Sequence, residues 1–120
     1  MKKQRELKAD YKREPRPMGV YAVRDTKEHV AYVGTAKDLP GILNRHRFEL
    51  KVGGHQNRDL VAAYKLHGAD AFAFEVLDTL EPKTEPGQDY DDDLETLLRL
   101  RMEQGLKEDD GTPVRLVAMY

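Results

Sequence analysis

The chain has 120 residues, of which 35% are charged, and a formal net charge of −2. This length suits one domain with a modest core and is too short for two. The absence of cysteine excludes disulfides and thiolate metal sites, and no apolar run approaches the ~18 residues of a membrane span. We therefore expect a cytoplasmic protein without a membrane partner.

Charge is distributed unevenly along the chain. Residues 1–60 hold 14 of the 20 Lys and Arg residues but 8 of the 22 Asp and Glu residues, whereas residues 61–120 hold 6 and 14. A basic half favours a polyanionic partner such as DNA or RNA. Charges that only solvate helix faces would give the same counts, and the overall negative charge favours a protein partner instead.

The N-terminal region predicts a charged arm followed by a β-hairpin. Residues 1–17 are mostly charged and form an arm or a short helix that ends at Pro15 and Pro17. Side chains alternate over 18–25, and the stretch 29–34 is rich in β-forming residues, so both should be strands. The polar residues between them are typical of a hairpin turn.

Two capped helices are predicted after the hairpin. Asp38 is a suitable N-cap and Pro40 falls in the first turn, so one helix should run from there to Gly53. Asn57 can cap a second helix in the same way, and Gly68 ends it.

The second half of the chain predicts a third strand, a third helix and a tail. Residues 71–77 alternate between apolar and other side chains, as a strand does. The aspartates at 91–93 would stabilise the positive N-terminal end of a helix that ends at Gly105. The tail at 106–120 is polar until 114–118, which is a candidate for one more short strand.

The predicted order of elements is β-β-α-α-β-α. It gives an α+β domain over residues 18–105, in which helices flank a small, mostly antiparallel sheet of three strands. The arm at 1–17 and the tail at 106–120 lie outside this domain.

Two tripeptides give the most specific signal in the sequence. Gly19-Val20-Tyr21 lies in the first predicted strand and Tyr32-Val33-Gly34 in the second, and a helix with His46 near its middle follows. This arrangement resembles the GIY-YIG nuclease superfamily, and the resemblance covers roughly residues 18–80. It implies a GIY-YIG-like fold, and the activity of that family is metal-assisted hydrolysis of phosphodiester bonds.

The resemblance carries over only part of the family's catalytic set. Three positions match family site residues: Tyr21, Tyr32 and His46. The family's arginine, which neutralises phosphate charge in the transition state, corresponds to Ile42, and its cation-binding glutamate to Leu98 or Arg99. Ile42 cannot neutralise phosphate charge, and neither Leu98 nor Arg99 can bind a cation. The resemblance therefore implies a pseudoenzyme in which the three matching residues are vestigial.

Neighbouring side chains offer an alternative, an active or weakened metal-dependent endonuclease that cleaves DNA. Arg45 lies on nearly the same helix face as Ile42, while Glu95 and Glu103 lie about one turn on either side of the lost glutamate. A whole turn is ~5.4 Å, whereas a shift of ~1 Å can already cost ~100-fold in rate. The cofactor in this alternative would be Mg²⁺ or Mn²⁺, and otherwise we expect none.

Histidines and basic side chains complete the set of candidates. His29, His55 and His67 show no metal-ligand spacing with one another, so we expect no metal site. The basic residues around the first helix are the candidate nucleic-acid-binding residues: Lys37, Arg45, Arg47, Lys51 and Arg58. We expect a nucleic-acid-binding or protein-interaction module, and the sequence leaves open whether the domain is an enzyme.

Overall fold

The computed structural model of the protein describes residues 16–81 and 89–119. Most of the arm predicted at 1–17 falls outside these residues. The described strands are β1 (Met18–Asp25), β2 (Val30–Ala36), β3 (Phe72–Leu80), β4 (Leu106–Lys107) and β5 (Pro113–Ala118). The described helices are α1 (Leu39–Val52), α2 (Arg58–His67) and α3 (Asp91–Gln104).

All five described strands belong to one mixed sheet, in the order β3-β1-β2-β5-β4. β1 pairs antiparallel with β2 and β3, and β5 runs parallel beside β2, with Val30 opposite Arg115. The prediction of a three-stranded sheet was therefore wrong. The stretch that was a candidate for one more strand is β5. β4 is too short to show the alternation of side chains that predicts a strand.

The helix signals in the sequence act as predicted. The Asp38 carboxylate accepts a hydrogen bond from the Gly41 N–H (3.1 Å) and starts α1, and Gly53 ends it in the left-handed conformation with φ of 79°. The Asn57 side chain accepts one from the Leu60 N–H (3.1 Å) and starts α2. None of the three described helices combines the length and the hydropathy of a membrane span.

The helices cover opposite faces of the sheet. α1 and α2 lie on the face that carries Val23 and Tyr32, where Leu50 from α1 and Leu60 from α2 complete a buried cluster. α3 lies on the other face, where Leu98 packs against a second apolar cluster built from Ala22, Ala31, Val33 and Val114. Since successive strand residues point to opposite faces, each strand of the hairpin contributes to both clusters.

Both motif glycines lie where a neighbouring residue leaves no room for a side chain. A Cβ atom at Gly19 would lie 2.0 Å from the carbonyl oxygen of Asp78 in β3, and one at Gly34 would lie 2.8 Å from Tyr21 Oη. A glycine at the first position therefore lets β3 pair closely with β1. A glycine at the second leaves room for the Tyr21 side chain.

Candidate functional site

A cleft of about 390 Å³ opens beside Tyr21, on the face of the sheet that carries α1. One stripe of α1 forms a wall of the cleft, since its contributions are spaced three or four residues apart: Ile42, Arg45, His46 and Glu49. The loop between α1 and α2 also lines the cleft, together with Met119. That loop contributes His55, Gln56 and Asn57.

Tyr21 and His46 meet at the base of the cleft. The Tyr21 Oη atom lies 2.7 Å from His46 Nε2, and the two residues retain 4% and 8% of their full exposure. Burial raises the pKa of Tyr21 to about 12. The hydroxyl therefore keeps its proton at neutral pH.

His55 extends this contact towards the mouth of the cleft. His46 Nδ1 lies 2.7 Å from His55 Nε2, and His55 Nδ1 accepts a hydrogen bond from the backbone N–H of Asn57 at 3.0 Å. Burial lowers the pKa of both histidines, and the neighbouring His55 ring lowers the pKa of His46 further. Because an unperturbed histidine has a pKa of about 6.5, the lowered pKa makes the neutral form of both rings predominant at pH 7.

Arg45 and Glu49 supply the formal charges of the cleft. The Arg45 Nε and Glu49 Oε2 atoms are 3.5 Å apart, one helical turn along α1. The Arg45 side chain is 69% exposed, so water screens the attraction between the two charges. Both side chains are therefore available to a ligand that enters the cleft.

The three residues that match the family's site lie in two different environments. Tyr21 and His46 are in contact in the cleft. Tyr32 is on the same face of the sheet, since it pairs with Val23 across the hairpin. It packs in the buried cluster with Leu50 and does not line the cleft. The structure thus joins Tyr21 to His46 and leaves Tyr32 in the core.

The positions that correspond to the family's arginine and glutamate are also separated. Ile42 lines the cleft and is half-buried. Leu98 packs on the opposite face of the sheet, in the cluster with Ala22. Arg99 is exposed and lies 3.9 Å from Glu95 on the same helix. Of the described residues, those of α3 contribute nothing to the lining of the cleft.

The predicted nucleic-acid-binding residues differ in their partners. Lys37 pairs with an aspartate at the start of α3, at 2.9 Å. The Arg47 guanidinium lies over the ring of Phe74, 4.7 Å from its centroid. Lys51 and Arg58 are exposed, and neither has an ion-pair partner in the described part of the chain.

Sequence reasoning missed Glu49 and gave no role to His55. Glu49 lies three residues beyond His46 and seven beyond Ile42, and this helical spacing was a usable signal. His55 stands in a loop, where no periodicity fixes the direction of a side chain. Its place beside His46 depends on how the chain turns from α1 into α2.

Three side chains in the cleft form a candidate metal-binding group: His46, Glu49 and His55, whose ligand atoms lie within 4.8 Å of one another. His46 suits this role, because its Nε2 faces Tyr21 and its Nδ1 faces the group. His55 does not. A metal on His55 Nε2 would leave the ring proton on Nδ1, where the Asn57 N–H already donates. These contacts favour a hydrogen-bonded pair of histidines over a metal site.

A larger cleft, of about 630 Å³, lies on the other face beside Arg24. Glu75 and Glu108 both form ion pairs with the Arg24 guanidinium there. The Arg24 guanidinium is therefore already paired with two carboxylates of the protein. The smaller cleft is the better candidate site, because Tyr21, which the motif identifies, lines it together with the exposed Arg45.

Two solved structures resemble this chain, whereas no family model and no curated protein matches it. The catalytic domain of the homing endonuclease I-TevI is 24% identical over 85% of this chain and 99% of that chain, with a TM-score of 0.59. A mutant of the catalytic domain of the intron endonuclease I-TevI is 24% identical over 73% of this chain and 79% of that chain, with a TM-score of 0.54. The fold is that of a GIY-YIG endonuclease catalytic domain, as the motif predicted.

Proposed function

We propose that this domain binds the phosphate backbone of a nucleic acid at the cleft beside Tyr21 and does not cleave it. One observation carries the proposal. The cleft keeps the buried contact between Tyr21 and His46, but the apolar Ile42 lies beside it, and the described part of α3 contributes no carboxylate to the lining.

Binding is supported by hydrogen-bond donors and positive charge around the cleft. The Tyr21 hydroxyl lies at its base and the exposed Arg45 guanidinium on its wall. Lys51 lies in the last turn of α1 and Arg58 begins α2, so the two side chains flank the loop that carries His55. Exposed cations attract phosphates along a nucleic-acid backbone without regard to base sequence.

The loss of cleavage is supported by what hydrolysis of a phosphodiester requires. Negative charge grows on the phosphate in the transition state, and removal of one donor that stabilises such charge costs about 10²–10³ in rate. A divalent cation needs a carboxylate that faces the phosphate. Ile42 supplies no charge, and Leu98 is packed on the opposite face of the sheet.

A second candidate function is a weakened metal-dependent nuclease, and one observation favours it. Arg45 and Glu49 line the same cleft as Tyr21, and they are the pair of charges that such chemistry needs. Their mutual ion pair is long, at 3.5 Å, and one partner is exposed. Opening of this pair would direct Arg45 to a phosphate and Glu49 to a cation.

A salt titration of binding tests the proposal. Fluorescently labelled DNA and RNA oligonucleotides are titrated with the protein at increasing salt, and we expect the affinity to fall steeply. The Lys51→Ala/Arg58→Ala double variant should weaken binding and reduce the salt slope by about 2, which is about 1 for each lost phosphate contact. Arg99→Ala is the matched control, because Arg99 is an exposed cation on α3. Absence of salt-dependent binding would overturn the proposal and favour a protein-interaction module.

A plasmid-nicking assay separates the two candidate functions. With Mg²⁺ or Mn²⁺ we expect no nicking above background by the wild-type protein. Metal-dependent nicking that disappears in both Tyr21→Phe and Glu49→Gln would establish the weakened nuclease instead.

A further inference from the structure

We infer that Tyr21 acts in the cleft as a hydrogen-bond donor to a phosphate oxygen, because a one-way chain of hydrogen bonds from Asn57 through His55 and His46 holds its oxygen as an acceptor. The inference deepens the proposed function and rests on it for the identity of the phosphate. The direction of the chain follows from the geometry of the protein alone.

The chain starts at a group that can only donate. The backbone N–H of Asn57 lies 3.0 Å from His55 Nδ1, and a peptide N–H has no acceptor capacity. His55 Nδ1 must therefore be unprotonated. Since a neutral imidazole carries one proton, that proton is on His55 Nε2.

The position of the proton on His46 follows from the position of the proton on His55. The protonated Nε2 of His55 lies 2.7 Å from His46 Nδ1, which must accept. The proton of His46 is then on its Nε2, which lies 2.7 Å from Tyr21 Oη. Thus His46 donates to the tyrosine oxygen and cannot accept the tyrosine proton.

The hydroxyl proton of Tyr21 is left for a ligand. Because the oxygen accepts from His46, its own O–H bond must point away from that ring. Within the described residues Tyr21 has no other hydrogen-bond partner, and its side chain lines the cleft. A hydroxyl that accepts one hydrogen bond becomes a stronger donor in the next. An oxygen acceptor such as a phosphate is the ligand that this geometry suits.

The same geometry opposes a role for Tyr21 as a base assisted by His46. Transfer of the Tyr21 proton to His46 would require both imidazoles to change tautomer. The Asn57 N–H would then face a protonated His55 Nδ1 and lose its acceptor. Arg45 and Glu49 are the charged groups of α1 that face the two histidines. They do not change the tautomers that these hydrogen bonds require.

Nitrogen NMR of the ¹⁵N-labelled full chain tests the hydrogen-bond chain without any ligand. At pH 7 we expect both His46 and His55 to carry their proton on Nε2, with unprotonated Nδ1 atoms. A protonated Nδ1 on either ring would overturn the inference. It would leave the proposed binding function untouched.

A binding series tests the role of the hydroxyl. The probe is a fluorescein-labelled deoxythymidine oligonucleotide at low salt. Tyr21→Phe should bind it about tenfold more weakly than wild type, since a hydrogen bond to a charged group is lost. His55→Phe should also weaken binding, because His46 is then free to adopt either tautomer. Tyr64→Phe is the matched control, since Tyr64 packs against Phe72 on the same face of the sheet.

The outcomes of the series separate the two claims. Salt-dependent binding by wild type that is unchanged in Tyr21→Phe would overturn the donor role and keep the proposed function. Absence of binding by wild type would overturn both the phosphate acceptor and the proposed function. The ¹⁵N–¹H spectrum of each variant verifies that it is folded.

Discussion

Tyr21 and Ala22 are neighbours in β1, yet their side chains enter different environments. Tyr21 faces the side of the sheet that carries α1, where it meets His46 in an open cleft. Ala22 faces the side that carries α3, where Leu98 packs in a continuous apolar cluster. We call these the cleft face and the α3 face. Among the described residues, α3 packs on one face of the sheet, and Tyr21 and His46 form the candidate site on the other.

Charged side chains on the two faces also differ in whether they have partners within the protein. On the α3 face, Arg101 makes two hydrogen bonds with the Asp78 carboxylate, at 2.7 and 2.8 Å. On the cleft face, Lys51 and Arg58 have no ion-pair partner among the described residues. The charge of Arg101 is therefore paired within the protein, whereas Lys51 and Arg58 have no such partner among the described residues.

The largest expected effect tests the packing role of α3. Leu94 is 4% exposed, so Leu94→Ala removes buried methyl groups and should lower the free energy of unfolding by about 2–5 kcal/mol. Leu100→Ala is the control on the same helix, since Leu100 is 47% exposed, and it should change stability by less than about 0.5 kcal/mol. Urea denaturation measures both.

Equal losses for the two variants would contradict the placement of α3. A wild-type affinity for DNA in folded Leu94→Ala would sharpen the comparison, because it would show that the α3 face stabilises the domain without shaping the cleft.

The next effect tests why the cleft face needs Gly34. A Cβ atom there would lie 2.8 Å from Tyr21 Oη, so Gly34→Ala must displace the ring from His46, at a cost of about 1–3 kcal/mol. Gly54→Ala is the control, because its Cβ would approach nothing closer than Val52 Cγ2 at 3.8 Å. Thermal unfolding and the ¹⁵N signals of His46 report the two consequences. Unchanged His46 signals in Gly34→Ala would refute the steric argument.

The pH dependence of stability should originate on the cleft face. The pKa values of His46 and His55 are lowered in the folded state, so the unfolded chain binds protons first as the pH falls through about 6.5. Stability is therefore fully present above that pH and is lost as the pH falls towards the lowered pKa values. Melting temperatures between pH 7.5 and 5.5 measure the loss. The His46→Gln/His55→Gln variant should show a flatter profile, and an equally steep one would place the dependence elsewhere.

The smallest expected effect on stability comes from restoring a charge to the cleft. Ile42 is half-buried and lines open space, so Ile42→Arg should cost less than about 1 kcal/mol. The new guanidinium should tighten DNA binding and steepen the salt slope by about 1, whereas the neutral control Ile42→Gln should leave the slope unchanged. A loss of several kcal/mol would mean that Ile42 belongs to the core and that the arginine is buried without a partner.

Much of the fold was predictable because its signals are local. The caps Asp38 and Asn57 and the stop at Gly53 place α1 and α2 by contacts within a few residues. β5 was indicated only as a candidate, because its place depends on a parallel pairing with a strand far away in the sequence. β4 has two residues, which is too few for a pattern.

The candidate site was predictable in part. The motif identified Tyr21 and His46, which do meet. The same motif gave no means to distinguish Tyr21 from Tyr32, since both point to one face and the difference is which side chains pack over them. His55 depends on the path of a loop, and loops carry no periodic signal. Local spacing thus places residues on a face, but packing decides which of them reach the cleft.

The parallel pairing of β5 with β2 has a consequence for the order in which the domain assembles. The hairpin of β1 and β2 closes over four residues, whereas Val30 and Arg115 are brought together from distant parts of the chain. Loop-closure entropy makes such non-local contacts late events in folding. Met119, whose N–H donates to the Val33 carbonyl at 2.7 Å, lines the cleft just beyond β5. A partly folded chain without β5 would therefore lack one wall residue of the cleft.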